Sequence, residues 1–357
     1  MTDRSVENIL SWNKGIVSIT PSRFMTLVNV LPLELLMAQP DPDEWSALEC
    51  LHHLVVLERA ATSGRISAFL NNGTFPSVDF AAAKAETPTT ILAAEFEQCR
   101  AVSLLHLDQV TEADFDRELV HPTLGPITLR MYLHHWAAHD LMHTVQAQQA
   151  LMQPFIASCG PWIENYTDHL AARGRNEVSP SVPDDPNKLL EWCWAALSAT
   201  SVCFLNMINI IPLELLTARP APGQWSMLDC LRHLVDVERI STHVRIRALT
   251  VGEPMVGFNP AEASEQTSDV TTAVALAEEF VHLRQQTLKV LEQLTPSDLD
   301  LQAMHAEYGM VTMREFLSHL AAHDLMHTVQ AQRAVMQPLI AGVGPWRVNY
   351  AAHIAHA

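Results

Sequence analysis

The chain repeats itself. Residues 31–59 read LPLELLMAQPDPDEWSALECLHHLVVLER and residues 211–239 read IPLELLTARPAPGQWSMLDCLRHLVDVER, identical at 18 of 29 positions at an offset of 180. Residues 128–154 and 312–338 are identical at 20 of 27 positions at an offset of 184. GPWIENY (160–166) returns in the same order as GPWRVNY (344–350). A unit this long is a whole domain, well beyond the roughly 20–50 residues of a solenoid repeat. Whatever folds must fold twice, and a chain of 357 residues at about 150 per domain gives the same count. The stretch ARGRNEVSPSVPDDPNK (172–188), rich in Pro, Ser and charge, is the seam. The expected organisation is a bundle over 1–171, a linker over 172–186 and a second bundle over 187–357.

Each copy reads as helices. Ser46 can cap a helix while Glu49 reaches back to it, and Ser226 with Asp229 repeats the arrangement in weaker form. Leu48, Leu51 and Val55 then follow at helical spacing. Thr128 and Thr312 sit where N-caps belong, before helices running to about Met152 and Met336; Glu315 completes a capping box in the second copy. A third helix covers about 89–109 and again about 272–293. The long first helix of each copy meets Pro32 or Pro212, where a kink or break is expected. A short helix follows Gly160-Pro161, with Pro at its first position. Alternating strand patterns are weak throughout. The fold class is all-α, with four main helices per copy forming two tandem four-helix bundles, an architecture that carries metal sites on facing helices.

Composition narrows the function. Apolar residues make up 48% of the chain and charged residues 17%, enough core to argue against disorder. The balance of 22 basic and 40 acidic residues leaves a net charge of −18. So acidic a surface repels phosphate backbones and anionic lipid, which argues against nucleic acid and membrane as partners. No apolar run reads as a membrane span, and the opening residues do not resemble a signal peptide. The six cysteines form no CxxC and are too sparse for a disulfide framework, so a cytoplasmic location with free thiols is expected.

The 18 histidines concentrate the chemistry. His139 and His143 leave one helix face a turn apart, so both imidazoles can reach one ion. His323 and His327 repeat the pair. The histidine shared by both copies of the second helix is His53, matched by His233, whereas His52 is replaced by Arg232. The candidate metal ligands are therefore His53, His139 and His143 in one site and His233, His323 and His327 in the other. Three neutral imidazoles with an open position suit zinc, with nickel or ferrous iron as alternatives, two ions per chain. The competing account has the histidines decorating a helix surface or sitting satisfied in the core. Against it, all three positions persist while 60–127 and 240–311 have drifted apart.

Several neighbours stand beside these sets. His135 and His319 extend the stripe by a turn, in a supporting role or as a fourth ligand. Asp140 and Asp324 directly follow a ligand and are the candidate catalytic residues, as general bases or as acceptors behind the ligands; the alternative is a solvated helix charge. Glu58 and Glu238 are expected to pair with Arg65 and Arg245. Cys50 and Cys230 are expected as small buried residues. His121 and His305 either line a pocket mouth or sit in a loop, and Trp162, Tyr166, Trp346 and Tyr350 are expected to pack.

The pattern W-S-x4-L-x-H-L-x3-E followed by H-D-x2-H-x2-Q resembles the DinB/YfiT-like superfamily. It is carried by Trp45-Ser46, Leu51, His53-Leu54, Glu58, His139-Asp140, His143 and Gln146. It recurs as Trp225-Ser226, Leu231, His233-Leu234, Glu238, His323-Asp324, His327 and Gln330. The resemblance implies a four-helix bundle binding a divalent metal through three histidines, often as a dimer. A tandem copy then implies an intramolecular pseudo-dimer that needs no second chain. Some members of that superfamily are metal-dependent transferases or isomerases using low-molecular-weight thiols, and others have no known activity.

Three functions are expected on these grounds. One is a metal-dependent enzyme, a thiol S-transferase acting on a small-molecule substrate with a low-molecular-weight thiol. A second is a metal-binding or stress-related protein without turnover. The third is a metal-dependent hydrolase, reading HDxxH as a variant of HExxH; the shorter acid and the absent glycine-containing extension count against it.

Overall fold

The structure, a computed structural model, describes residues 4–78, 89–167, 182–255, 257 and 270–354. The first half contains α1 (Arg4–Val30), α2 (Leu33–Leu36), α3 (Ala47–Leu57), α4 (Ser63–Asn71), α5 (Thr89–Leu107) and α6 (Leu129–Ile156). The second repeats them as α7 (Pro186–Ile210), α8 (Leu213–Leu216), α9 (Met227–Asp236), α10 (His243–Val251), α11 (Val270–Leu291) and α12 (Met313–Ile340). Most of the expected linker, residues 172–181, lies outside the described residues.

The local signals act as the sequence says. Glu49 N donates to Ser46 Oγ at 3.2 Å while Ser46 N donates to the Glu49 carboxylate at 2.8 Å. Ser226–Asp229 and Thr312–Glu315 form the same reciprocal box, and Thr128 caps α6 by accepting from Met131 N. Pro32 and Pro212 end the first helix of each half outright. Each sits at the N-cap of a one-turn helix, because proline lacks the N–H that would continue the ladder.

Two features were not legible. Wide π turns, Glu58–Thr62 and Val237–Thr242, join α3 to α4 and α9 to α10. Short antiparallel hairpins, β1 (Glu118–His121) with β2 (Gly125–Thr128) and β3 (Gln302–His305) with β4 (Gly309–Thr312), lead straight into α6 and α12. Strands of four residues are too brief to show alternation above chance.

The halves are interleaved. The most extensive helix–helix contact in the molecule is between α6 and α12, and α1 lies against α7. Two apolar cores result, and each draws on both halves. One packs the C-terminal part of α6 (Ala147 to Ile156) with the N-terminal part of α12 (Met313 to Leu325); the other packs Leu129 to Leu141 with Ala331 to Ile340. The two long helices are therefore antiparallel across a pseudo-twofold axis. α7 is the one described helix long and apolar enough to cross a bilayer, yet most of its apolar stretch is buried, against α1, α11 and α12.

The segments after the long helices cross over. Gly160–Tyr166 packs on α12, and Gly344–His353 packs on α6. Both crossings start at a glycine with positive φ, +56° at Gly160 and +58° at Gly344. A Cβ there would overlap the Glu315 carboxylate or the Met131 thioether, so no other residue fits without displacement. Cleaving the chain at a protease site engineered within 172–181 should leave two fragments that elute as one species in size-exclusion chromatography. Fragments that separate without denaturant would contradict the shared cores.

Candidate metal centre

The candidate ligands meet in space. α3 supplies His53 and α6 supplies His139 and His143; α9 supplies His233 and α12 supplies His323 and His327. In the first half His139 Nε2 lies 3.3 Å from His53 Nε2 and 3.1 Å from His143 Nε2. In the second, His323 Nε2 lies 3.1 Å from both His233 Nε2 and His327 Nε2. Three nitrogens bound tetrahedrally at zinc–nitrogen lengths would stand about 3.3 Å apart, so the spacing fits a single ion.

Tautomers agree with that reading. His143 Nδ1 is 2.7 Å from Gln146 Oε1 and His327 Nδ1 is 2.9 Å from Gln330 Oε1. An amide oxygen accepts only, so each Nδ1 carries the proton and each Nε2 turns a lone pair to the centre. Gln146 and Gln330 belong to the sequence motif, but their role appears only here, three residues beyond the ligand they orient. The indoles of Trp45 and Trp225 stack on His143 and His327, with centroids 5.5 Å apart in both cases.

His135 and His319 stand outside the converging sets, a turn from His139 and His323, and are gripped by the opposite half. His135 Nδ1 is 2.8 Å from the Tyr350 hydroxyl and its ring stacks on Trp346 at 4.2 Å. His319 Nδ1 is 2.9 Å from the Tyr166 hydroxyl and stacks on Trp162 at 5.0 Å. Each site thus has walls from both repeats, which sequence reading of the aromatic residues as packing did not foresee. His121 and His305 close the hairpins beside the same tryptophans, each with its ring 5.6 Å from the indole.

Asp140 and Asp324 point away from the ligands. Asp140 is fully buried and accepts from Arg100 Nη1 at 2.6 Å; Asp324 accepts from Arg284 Nη1 at 2.5 Å. Both carboxylates are sealed in the interior against a guanidinium, with Asp324 Oδ1 left without a hydrogen-bond partner, and neither lines a cleft where a general base would meet a substrate. Glu58 and Glu238 join the same cations, Glu58 to Arg100 at 3.0 Å and Glu238 to Arg284 at 2.6 Å. The anticipated partners Arg65 and Arg245 are displaced by the π turns, whose extra residue rotates the downstream helix by about 100°. Arg100 Nη1 also donates to Val17 O at 2.5 Å, and Arg284 Nη1 to Leu197 O at 3.1 Å. One guanidinium therefore touches α1, the turn after α3, α5 and α6. It was missed because it sits in the poorly matching region, where a single arginine between drifting segments carries no signal.

Cys50 and Cys230 are fully buried, and burial pushes both thiols up. All six cysteines are free. Clefts adjoin the centres. One of about 870 Å³ between the halves is lined by Trp45, Gln146, Trp225 and Gln330. Another, of about 370 Å³, reaches His233, His323 and His319 and shares Trp225, Asn165 and Met326 with the first.

Two bundles in one chain, each with an HxxxH pair on its longest helix and a third histidine on a neighbour, define a tandem three-histidine bundle protein. The sequence profile of the DinB superfamily matches residues 17–147 and again 189–331. The chain belongs to the DinB superfamily and carries its domain twice. A comparison with curated proteins finds no match.

Burial holds the rings neutral. It lowers His53 and His233 to about 4, and His135, His143 and His319 to about 3; His139 and His323 lie well below their ordinary value. Unfolded, each takes a proton near pH 6.5. Their contribution is therefore complete above pH 6.5 and lost as pH falls toward 3–4. Burial raises Asp140 and Asp324, the latter to about 6, and this opposes the trend with two groups against seven. The melting temperature of chelator-treated protein should drop steadily from pH 7 to pH 4.5; a flat profile would contradict the buried imidazoles. Arg100→Met should cost about 3–5 kcal/mol in urea unfolding, because it leaves two buried carboxylates uncompensated.

Proposed function

We propose that each half holds one divalent metal ion and that the protein is a metal-dependent enzyme on a small-molecule substrate. The observation that carries this is the duplicated convergence of three Nε2 atoms at the edge of an open cleft. Zinc suits the donor set best, and nickel and ferrous iron accept the same nitrogens. His53, His139 and His143 would hold one ion, and His233, His323 and His327 the other. When bound, such an ion stabilises a thiolate over a thiol, which supports S-transfer with a low-molecular-weight thiol as co-substrate.

The chain's own residues support that choice over its rivals. No cysteine is placed as nucleophile: Cys50 and Cys230, one turn before a ligand, are sealed in the cores and their thiols are raised. The thiol would come from solution. The hydrolase reading loses its base, since Asp140 and Asp324 are committed to Arg100 and Arg284. They act instead as positioning residues, fixing the rotation of α6 and α12 so that the ligand face meets α3 and α9. Free thiols and an acidic surface fit a cytoplasmic protein that binds neither nucleic acid nor membrane.

Elemental analysis tests the centre. The purified wild type should take up two ions per chain, His143→Ala one, and His143→Ala with His327→Ala none. One ion in the wild type, lost in either single variant, would mean a site shared between the halves. No uptake under any loading condition would overturn the metal reading.

A further inference from the structure

The two sites differ in one charged residue's surroundings. Arg65 and Arg245 are equivalent in the repeat, and both lie close enough for their charge to depress the imidazoles beside them, His135 and His139 in one half, His319 and His323 in the other. Arg65 is occupied. Its Nε donates to Pro76 O at 3.2 Å, its guanidinium covers the Phe75 ring at 4.6 Å, and the Tyr132 hydroxyl lies against it.

Two of these partners have no counterpart at Arg245, and Val256, the counterpart of Pro76, lies outside the described residues. Met255 stands where the first half has Phe75, and Phe316 where it has Tyr132, while Tyr308, at the position of Leu124, lines the cleft with Arg245 instead. Arg245 Nε is buried with no hydrogen-bond partner, and no ion pair to its guanidinium occurs among the described residues. The side chain lines the cleft that reaches His233 and His323. The one acidic residue lining that cleft, Glu307, sits exposed in the hairpin turn; with Tyr308 it favours the charged form of Arg245 from across the cleft, but no ion pair between them forms among the described residues.

We infer that Arg245 is an anion-recognition residue of the second site, receiving the carboxylate of a small substrate whose remainder reaches the three-histidine centre. A buried, unpartnered Nε gains from a ligand that reaches it, and a carboxylate matches the parallel N–H donors of a guanidinium. Its planar fork matches the two oxygens of one carboxylate, and with one base and one acid lining the cleft a monoanion needs less compensating charge there than a phosphate dianion. The cleft lining holds one base and one acid, so it lacks the negative excess of a chain of net charge −18. The first site, with Arg65 tied down, lacks the feature, so the two sites select different substrates or only the second selects anions. The inference rests on the metal-centred reading for what the rest of the substrate meets, but the anion contact itself needs no ion.

Calorimetric titration with succinate tests it, on zinc-loaded and on chelator-treated full-length protein. One equivalent per chain should bind, and Arg245→Met should weaken it about tenfold or more. Arg65→Met should leave it unchanged. Phe316→Tyr, which returns the hydroxyl that Tyr132 supplies in the first half, should weaken it several-fold with the charge intact, and far-ultraviolet circular dichroism should show both Arg245 and Phe316 variants folded. Inorganic phosphate should bind more weakly than succinate; phosphate binding tighter than succinate would overturn the carboxylate assignment. Equal affinity in wild type and Arg245→Met, or an equal loss in Arg65→Met, would overturn the anion site. Zinc content is measured separately. A chain that takes up no zinc counts against the metal reading, while its succinate titration still decides the role of Arg245.

Discussion

In each half a single buried guanidinium holds four segments together. Arg100 gathers the Val17 carbonyl from α1, Glu58 from the turn after α3 and Asp140 from α6, while itself projecting from α5. Arg284 does the same with Leu197, Glu238 and Asp324. A charge in an apolar interior is tolerated only when its hydrogen bonds are made, and here the bonds can be made only if all four segments are in register. The clasp also neighbours the chemistry. Asp140 and Asp324 are chained to His139 and His323 by one peptide bond, so the cation that sets the helix packing also sets the direction of the central ligand.

The second organising constraint is the crossing of the C-terminal segments. Trp162 and Tyr166 leave the first half to stack on and hydrogen-bond His319, and Trp346 and Tyr350 return the contact to His135. Together with cores that mix α6 and α12, this makes the two repeats one folding object with two chemical centres. In a symmetric homodimer every substitution would appear twice. In this chain it appears once, which is why Tyr132 can differ from Phe316 and His134 from Ser318 while the ligand sets remain the same.

The sequence announced those parts whose physics is local. Capping boxes, proline breaks and the turn-spaced histidines all depend on residues within four positions of one another, and each stands where the pattern put it. The family match likewise came from two motifs read with their spacing. What escaped was either long-range or without a residue signature. Arg100 acts across α1, α3 and α6, none of which is near it in sequence. The π turns after Leu57 and Asp236 leave no compositional mark, yet they redirected Arg65 and Arg245 away from the glutamates expected to pair with them. The role assigned to Asp140 and Asp324 suffered from the same gap: adjacency to a ligand was visible, and the cation on the other side of the helix was not.

The crossing also has a direction in time. Residues that complete the second site, Trp162 and Tyr166, are synthesised before α12 exists and can receive His319 as soon as it emerges. Those that complete the first, Trp346 and Tyr350, come some two hundred residues after His135, a delay of roughly 10–40 s at ribosomal rates of about 5–20 residues per second. Until then α6 lies without its antiparallel partner, and the apolar face that α12 covers stays open. The repeat encoded first is thus the last to be finished, and the newborn chain carries an open hydrophobic face for about half of its synthesis, a window in which chaperones, or another nascent copy, would find it.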